Sequence, residues 1–199
     1  MTDLGLMRYF LGIEVQQGKN GFFISQERYA KEILKKFSME DCQSVDTPVE
    51  CSIKLTKEGE GKLVNPTYFK SLVGCLRYLT CTRPDILFGV SLVSRYIETP
   101  KISHLKTAKR ILRYIKGTTD YGMLYTSEKE LELVVFSDSD WAGSYDDRKS
   151  TTGFVFYFGS TTFTWSSKKQ SIVALLTCEA EYIAAASCVC HAIWLRRLL

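Results

Sequence analysis

Apolar and polar residues alternate along Leu11–Gln17, the period-2 pattern of a half-buried strand, and Phe22–Ser25 returns as a second strand. Between them Gly18-Lys19-Asn20-Gly21 supplies the positive-φ dipeptide of a tight turn, so a β-hairpin is expected. Ser25 stands where it would cap the next helix, whose core positions are Tyr29, Ile33, Leu34 and Phe37. The period then lapses: residues 40–64 are polar, carry Pro48 and Gly59-Glu60-Gly61, and read as a loop or linker. Helical spacing returns over 68–80, where Leu72, Leu76 and Leu79 lie on related faces. Arg83-Pro84-Asp85 breaks that helix and starts another, with Ile86, Val90, Val93 and Ile97 inward and Pro100 at its end. A further helix over 103–116 turns Leu105, Ala108, Ile111, Leu112 and Ile115 inward and stops at Gly117.

Past residue 120 the period changes. Residues 131–136, 152–158 and 161–165 read as strands, the last two joined by a turn at Gly159-Ser160. Residues 178–199, rich in Ala, Leu and Ile, read as one long helix. The expected fold class is therefore α+β: a hairpin and helical segment over 1–120, then a β-β-β-α unit over 121–199. Charge divides at the same point. The net +4 at pH 7 is +6 over 1–120 and −2 over 121–199, which suggests two units with different tasks.

With 45% hydrophobic residues the chain suffices for one substantial core or two small ones. No apolar run approaches the roughly 18 residues of a membrane span. The first residues lack the basic start and apolar core of a secretory signal. An intracellular setting without a membrane partner is expected. Seven cysteines, without any Cys-x-x-Cys pair, speak against a zinc ribbon or a redox motif. Cys188, Cys190 and His191 cluster in sequence, but residues two apart on a helix do not share a face, so reduced thiols are the expectation.

Two acidic groups could carry chemistry. Asp138-Ser139-Asp140 follows the 131–136 strand, and Glu179-Ala180-Glu181 opens the last helix, where the helix dipole alone favours acids. One acid from the strand and one from the helix could chelate Mg²⁺. A two-cation phosphodiester site normally requires three or four carboxylates. Neighbours on a strand or helix point apart, so only one of each pair would face a common site. Asp146-Asp147-Arg148-Lys149 reads as a solvated turn. Lys106, Lys109, Arg110, Arg113 and Lys116 form a basic stripe at helical spacing, suited to a phosphate backbone and equally to an ordinary solvated helix face.

A set of ordered motifs makes the pattern more specific. Asp3-Leu4-Gly5 and Tyr9-Phe10-Leu11-Gly12-Ile13-Glu14-Val15 resemble the segment leaving the palm of Ty1/copia-type reverse transcriptases, and Ser25-Gln26 with Tyr29-Ala30 the thumb helix after it. Leu72-Val73-Gly74, Leu76-Arg77-Tyr78-Leu79, Thr82-Arg83-Pro84-Asp85, Lys109-Arg110-Ile111-Leu112-Arg113-Tyr114 and Gly117-Thr118 resemble that family's following blocks. Ser137-Asp138-Ser139-Asp140-Trp141-Ala142-Gly143 resembles its first RNase H motif. Asp147-Arg148-Lys149-Ser150-Thr151-Thr152-Gly153, Trp165-Ser166-Ser167-Lys168-Lys169-Gln170 and Glu179-Ala180-Glu181-Tyr182 continue the resemblance.

The resemblance implies a thumb and connection segment over 1–120 and the N-terminal part of an RNase H domain over 121–199. It implies that Asp138 and Glu181, with Glu179 in reserve, hold Mg²⁺ for cleavage of the RNA strand of an RNA–DNA hybrid. It places the basic helix near a template–primer and makes the rest of a Pol polyprotein a partner. The chain departs from the family pattern in having no Tyr-x-Asp-Asp run, in Leu175-Leu176-Thr177-Cys178 before the glutamates, and in ending at Leu199 before a third RNase H carboxylate. The expectation is a fragment, inactive alone, with an unpaired sheet edge that promotes instability or self-association. The alternatives are a non-catalytic nucleic-acid-binding remnant and a pseudogene product.

Overall fold

The computed structural model describes residues 6–19, 21–51, 53–126 and 132–198. The chain divides into two compact units. The first comprises Met1–Ile53 with Lys57–Lys129, and the second comprises Lys54–Thr56 with Glu130–Leu199. Both contain antiparallel sheet and helix, in keeping with the α+β expectation.

In the first unit β1 (Tyr9–Phe10), β2 (Ile13–Gly18), β3 (Gly21–Ser25) and β4 (Gly122–Thr126) form one sheet in that order. The hairpin is as expected, with Gln17 opposite Phe22 and Gly18 opposite Gly21. Gly21 adopts φ +144° beside the Tyr125 carbonyl, so a Cβ there would collide with backbone. β4 extends the hairpin to a wider sheet by pairing Phe23 with Leu124 and Ile24 with Met123. This strand lies beyond the change of pattern near residue 120, and its non-local pairing carries the first unit past that point.

Ser25 is not the expected cap. It ends β3, opposite both Glu14 and Gly122, and Gln26 takes the N-cap position of α1 (Glu27–Lys36) without a side-chain hydrogen bond. The Glu14 carboxylate reaches across from β2 and accepts from the Arg28 N–H at 2.7 Å, satisfying one of the orphan donors of the helix start.

α2 (Pro66–Leu79) begins with proline in its first turn, after Asn65, whose side chain accepts from the Tyr68 N–H. A 3-10 turn at Pro84–Ile86 leads into α3 (Leu87–Ser94), and α4 spans Ile102–Gly117. Their inward faces form the core: Ile33 and Leu34 from α1, Phe69, Leu72 and Leu76 from α2, Val90 and Val93 from α3, and Ile111, Leu112 and Ile115 from α4. Each such aliphatic or aromatic side chain contributes about 1.5–3 kcal/mol by leaving water. α3 ends earlier than its spacing suggests, and Tyr96, not Ile97, turns inward, where its ring stacks on buried His104 at 4.1 Å. The polar 40–64 segment is held as a loop. Gln43, Thr47 and Glu50 bond to α4, and residues 60–64 bond to residues 100–103.

In the second unit β5 (Leu133–Ser139), β6 (Thr151–Phe158) and β7 (Thr161–Lys169) form a three-stranded sheet in sequence order, and α5 (Thr177–Leu198) follows. Phe156, Cys188 and Leu195 form the buried cluster between sheet and helix, flanked by Leu133, Phe154, Phe163 and Ala192. β5 begins and ends later than the pattern indicated (Leu131 lies outside the described residues), so it includes Asp138 instead of stopping before it.

Candidate functional site

Asp138 sits within β5 opposite Gly153, and Ser139 opposite Thr152. Side chains alternate along a strand. Leu133 and Ser139 face α5, since Leu133 joins the buried cluster and Ser139 shares a hydrogen-bond partner with the Ala180 carbonyl of α5. Asp138 therefore projects from the opposite face, with Phe136, and is exposed. Glu181 is exposed on α5, one residue after buried Ala180.

The neighbouring acids are engaged in backbone bonds. Asp140 accepts the Thr151 N–H through Oδ1, while Ser150 Oγ accepts the Ala142 N–H, and together these close the loop after β5. Glu179 accepts the Leu175 N–H at 2.6 Å and so satisfies backbone just ahead of α5. Asp147 pairs with Lys169 at 2.7 Å. Burial would raise its carboxyl, but hydrogen bonds from Lys169 and Ser144, with the Lys169 charge, outweigh that and hold it at about 2.

Among the described residues no group of three or more His, Cys, Asp and Glu is gathered as a metal ion would require. Cys188 is buried in the core, Cys190 exposed and His191 packed among the Phe154, Phe156 and Trp194 rings. Asp138 and Glu181, on different layers of the unit, do not by themselves fit a two-cation site.

The polar centre of the second unit is a residue that sequence reasoning placed only within a motif. Gln170 is buried, and its Nε2 lies 3.0 Å from Thr152 Oγ1, 3.0 Å from the Ala180 carbonyl and 3.2 Å from Ser139 Oγ. One amide thereby ties β5, β6 and the start of α5 together. A glutamine just past a strand end gives no periodic signal for this role.

The basic stripe of α4 divides. Arg110 bonds Glu50 and Thr47, both at 3.0 Å, and Arg113 donates to the Gln43 carbonyl at 2.8 Å, so both hold the 40–50 loop on the helix. No ion pair among the described residues takes up Lys106, Lys109 or Lys116. Arg83, read from sequence as part of a helix break, is buried. It forms a bidentate pair with Asp85 and lies over the rings of Tyr114 and Tyr121.

Comparison with known proteins places this arrangement. A family model described as reverse transcriptase (RNA-dependent DNA polymerase) matches residues 1–51. An uncharacterized mitochondrial protein of Arabidopsis thaliana is 39% identical over 98% of this chain and 80% of its own length. The retrovirus-related Pol polyprotein from transposon RE2 of the same plant is 40% identical over 97% of this chain. The chain belongs to the Pol polyproteins of copia-type retrotransposons. The Pol polyprotein from transposon TNT 1-94 of Nicotiana tabacum is 39% identical over the whole chain. This chain spans only 13% of the RE2 Pol polyprotein and 16% of the TNT 1-94 one, so it corresponds to a segment of a much longer Pol. No solved structure matches. Among the described residues no helix is long and apolar enough to cross a membrane.

Proposed function

We propose that the chain is the stretch of a copia-type Pol polyprotein running from the end of the reverse transcriptase into the first part of an RNase H domain, and that it is catalytically silent by itself. One observation carries this reading. Asp138 projects from the sheet face away from α5 while Glu181 stands on α5, and no three acids are gathered among the described residues, where a two-cation site normally requires three or four carboxylates. RNA-directed DNA polymerisation and hybrid cleavage are then activities of the whole polyprotein. Its nucleic-acid partner is the template–primer or RNA–DNA hybrid, and Mg²⁺ is its cation, held with acids from elsewhere in Pol. The test is Mg²⁺-dependent cleavage of a labelled RNA–DNA hybrid by the chain and by Asp138→Asn. No cleavage by either is expected; cleavage lost in the variant would refute the silent-segment reading.

A second reading, non-catalytic binding of nucleic acid, is favoured by Lys106, Lys109 and Lys116, which no ion pair among the described residues occupies. It requires binding that weakens steeply with salt.

A further inference from the structure

The cations of α4 differ in what the neighbouring chain does with them. At 3.6 residues per turn Lys106, Lys109, Arg110, Arg113 and Lys116 share an arc of roughly 120° opposite the buried face, over a rise of about 15 Å. That is the rise of about four to five nucleotides in one strand of a duplex, at roughly 3.4 Å each. Arg110 and Arg113 bond a strap of chain over residues 43–50. The stretch around this strap carries Glu40, Asp41, Asp46 and Glu50, and between Glu40 and Glu50 there is no Lys or Arg. An acidic segment thus lies on a basic helix.

The strap's hold on Arg110 is incomplete. Glu50 meets Nη1 through one oxygen, Oε1, at 3.0 Å, and Thr47 Oγ1 meets Nη2 at 3.0 Å. Arg110 Nε is buried with no partner among the described residues. A guanidinium bonds a phosphate through two parallel N–H groups, a stronger arrangement than this contact with a single carboxylate oxygen. The Glu50 side chain is 63% exposed, so water and salt screen the pair and it opens at little cost. We propose, on the nucleic-acid-binding reading of α4, that the 43–50 strap is an intramolecular stand-in for a phosphate backbone. Glu50 and Thr47 occupy Arg110 in the free chain. A nucleic-acid strand displaces them and takes Arg110 into the stripe with Lys106, Lys109 and Lys116. The strap therefore weakens binding, because a docking strand must first break the bonds that hold Arg110.

The experiment is binding of a labelled RNA–DNA hybrid to the full chain, followed by fluorescence anisotropy over a salt series. Thr47→Val removes the acceptor of Arg110 Nη2 without changing charge, and Glu50→Gln removes the ion pair. Each should tighten binding about two- to fivefold at low salt, with circular dichroism confirming the fold. Glu32→Gln, an equal change of charge at an exposed position of α1, should not. In an Arg110→Ala background neither strap variant should matter, because the strap then holds no cation to release. A parent chain that binds, with Thr47→Val and Glu50→Gln no tighter, overturns the strap and leaves the binding reading standing. Tightening that persists with Arg110→Ala, or that Glu32→Gln matches, assigns the effect to net charge and overturns the strap as well. No binding by the parent chain or by either strap variant overturns both.

Discussion

Arg83 and Thr118 are joined twice, Nη1 donating to the Thr118 carbonyl and Nη2 to its hydroxyl, each at 2.7 Å. The guanidinium thus fastens the residue before the 3-10 turn to the residue after α4, with Asp85 balancing its charge at 2.7 Å. A planar, forked cation can make all of these bonds at once; an ammonium cannot. Arg83→Lys and Arg83→Ala should therefore both destabilise the chain, by about 2–4 kcal/mol, because either leaves polar groups of this junction unpaired. Urea unfolding followed by circular dichroism measures this, and a loss under 1 kcal/mol would assign the junction to apolar packing alone.

The adjacent acids Asp138 and Asp140 should separate by readout. Asp140→Ala removes the partner of the Thr151 N–H and should cost roughly 1–2 kcal/mol of stability. Asp138→Asn, at an exposed position, should change stability by less than about 0.5 kcal/mol. Equal losses in thermal melts would remove the distinction.

Gln170→Leu should destabilise the second unit by about 1–3 kcal/mol, since the buried Ala180 carbonyl and Thr152 hydroxyl lose their shared donor. Amide hydrogen exchange should rise first in β5, β6 and the opening turn of α5. Exchange that changes only in β7 would contradict this role.

Asp147 makes the second unit sensitive to acid. Its carboxyl is depressed on folding, from the ordinary 3.8 to about 2. The stabilisation is therefore complete above pH 4 or so and is lost as the pH falls towards 2. Asp147 and Lys169 are 40% and 27% exposed, so solvent screening limits the pair to about 0.2–1 kcal/mol. Lys169→Ala should melt slightly below the parent chain at neutral pH and together with it near pH 2. A gap that persists at pH 2 would point to lost packing of the lysine stem.

Within α4, charge removal should have two distinct effects. Replacing Lys106, Lys109 and Lys116 by alanine should reduce the salt slope of nucleic-acid binding by about 2–3 if each meets a phosphate. Arg110→Ala and Arg113→Ala should instead loosen the 40–50 loop, seen as faster proteolysis there. Unchanged binding in the triple lysine variant would exclude α4 as the interface.

Sequence alone determined the elements whose signal is local. The 3.6-residue spacing of Leu72, Leu76 and Leu79, the proline opening of the turn before α3, the hairpin around Gly18–Gly21 and the family membership were all legible, because each depends on residues close together in the chain or on ordered motifs. Tertiary structure decided what depends on partners far away in sequence. β4 pairs with β3 across nearly a hundred residues, and Glu14, not Ser25, serves the start of α1. Arg110 and Arg113 are drawn from the basic stripe by a loop some sixty residues earlier, and the register of β5 against β6 turns Asp138 from the layer of α5. The physical reason is common to all of these: periodicity shows which face of an element is apolar, whereas a polar side chain's role is set by whichever donor or acceptor the folded chain brings within about 3 Å of it.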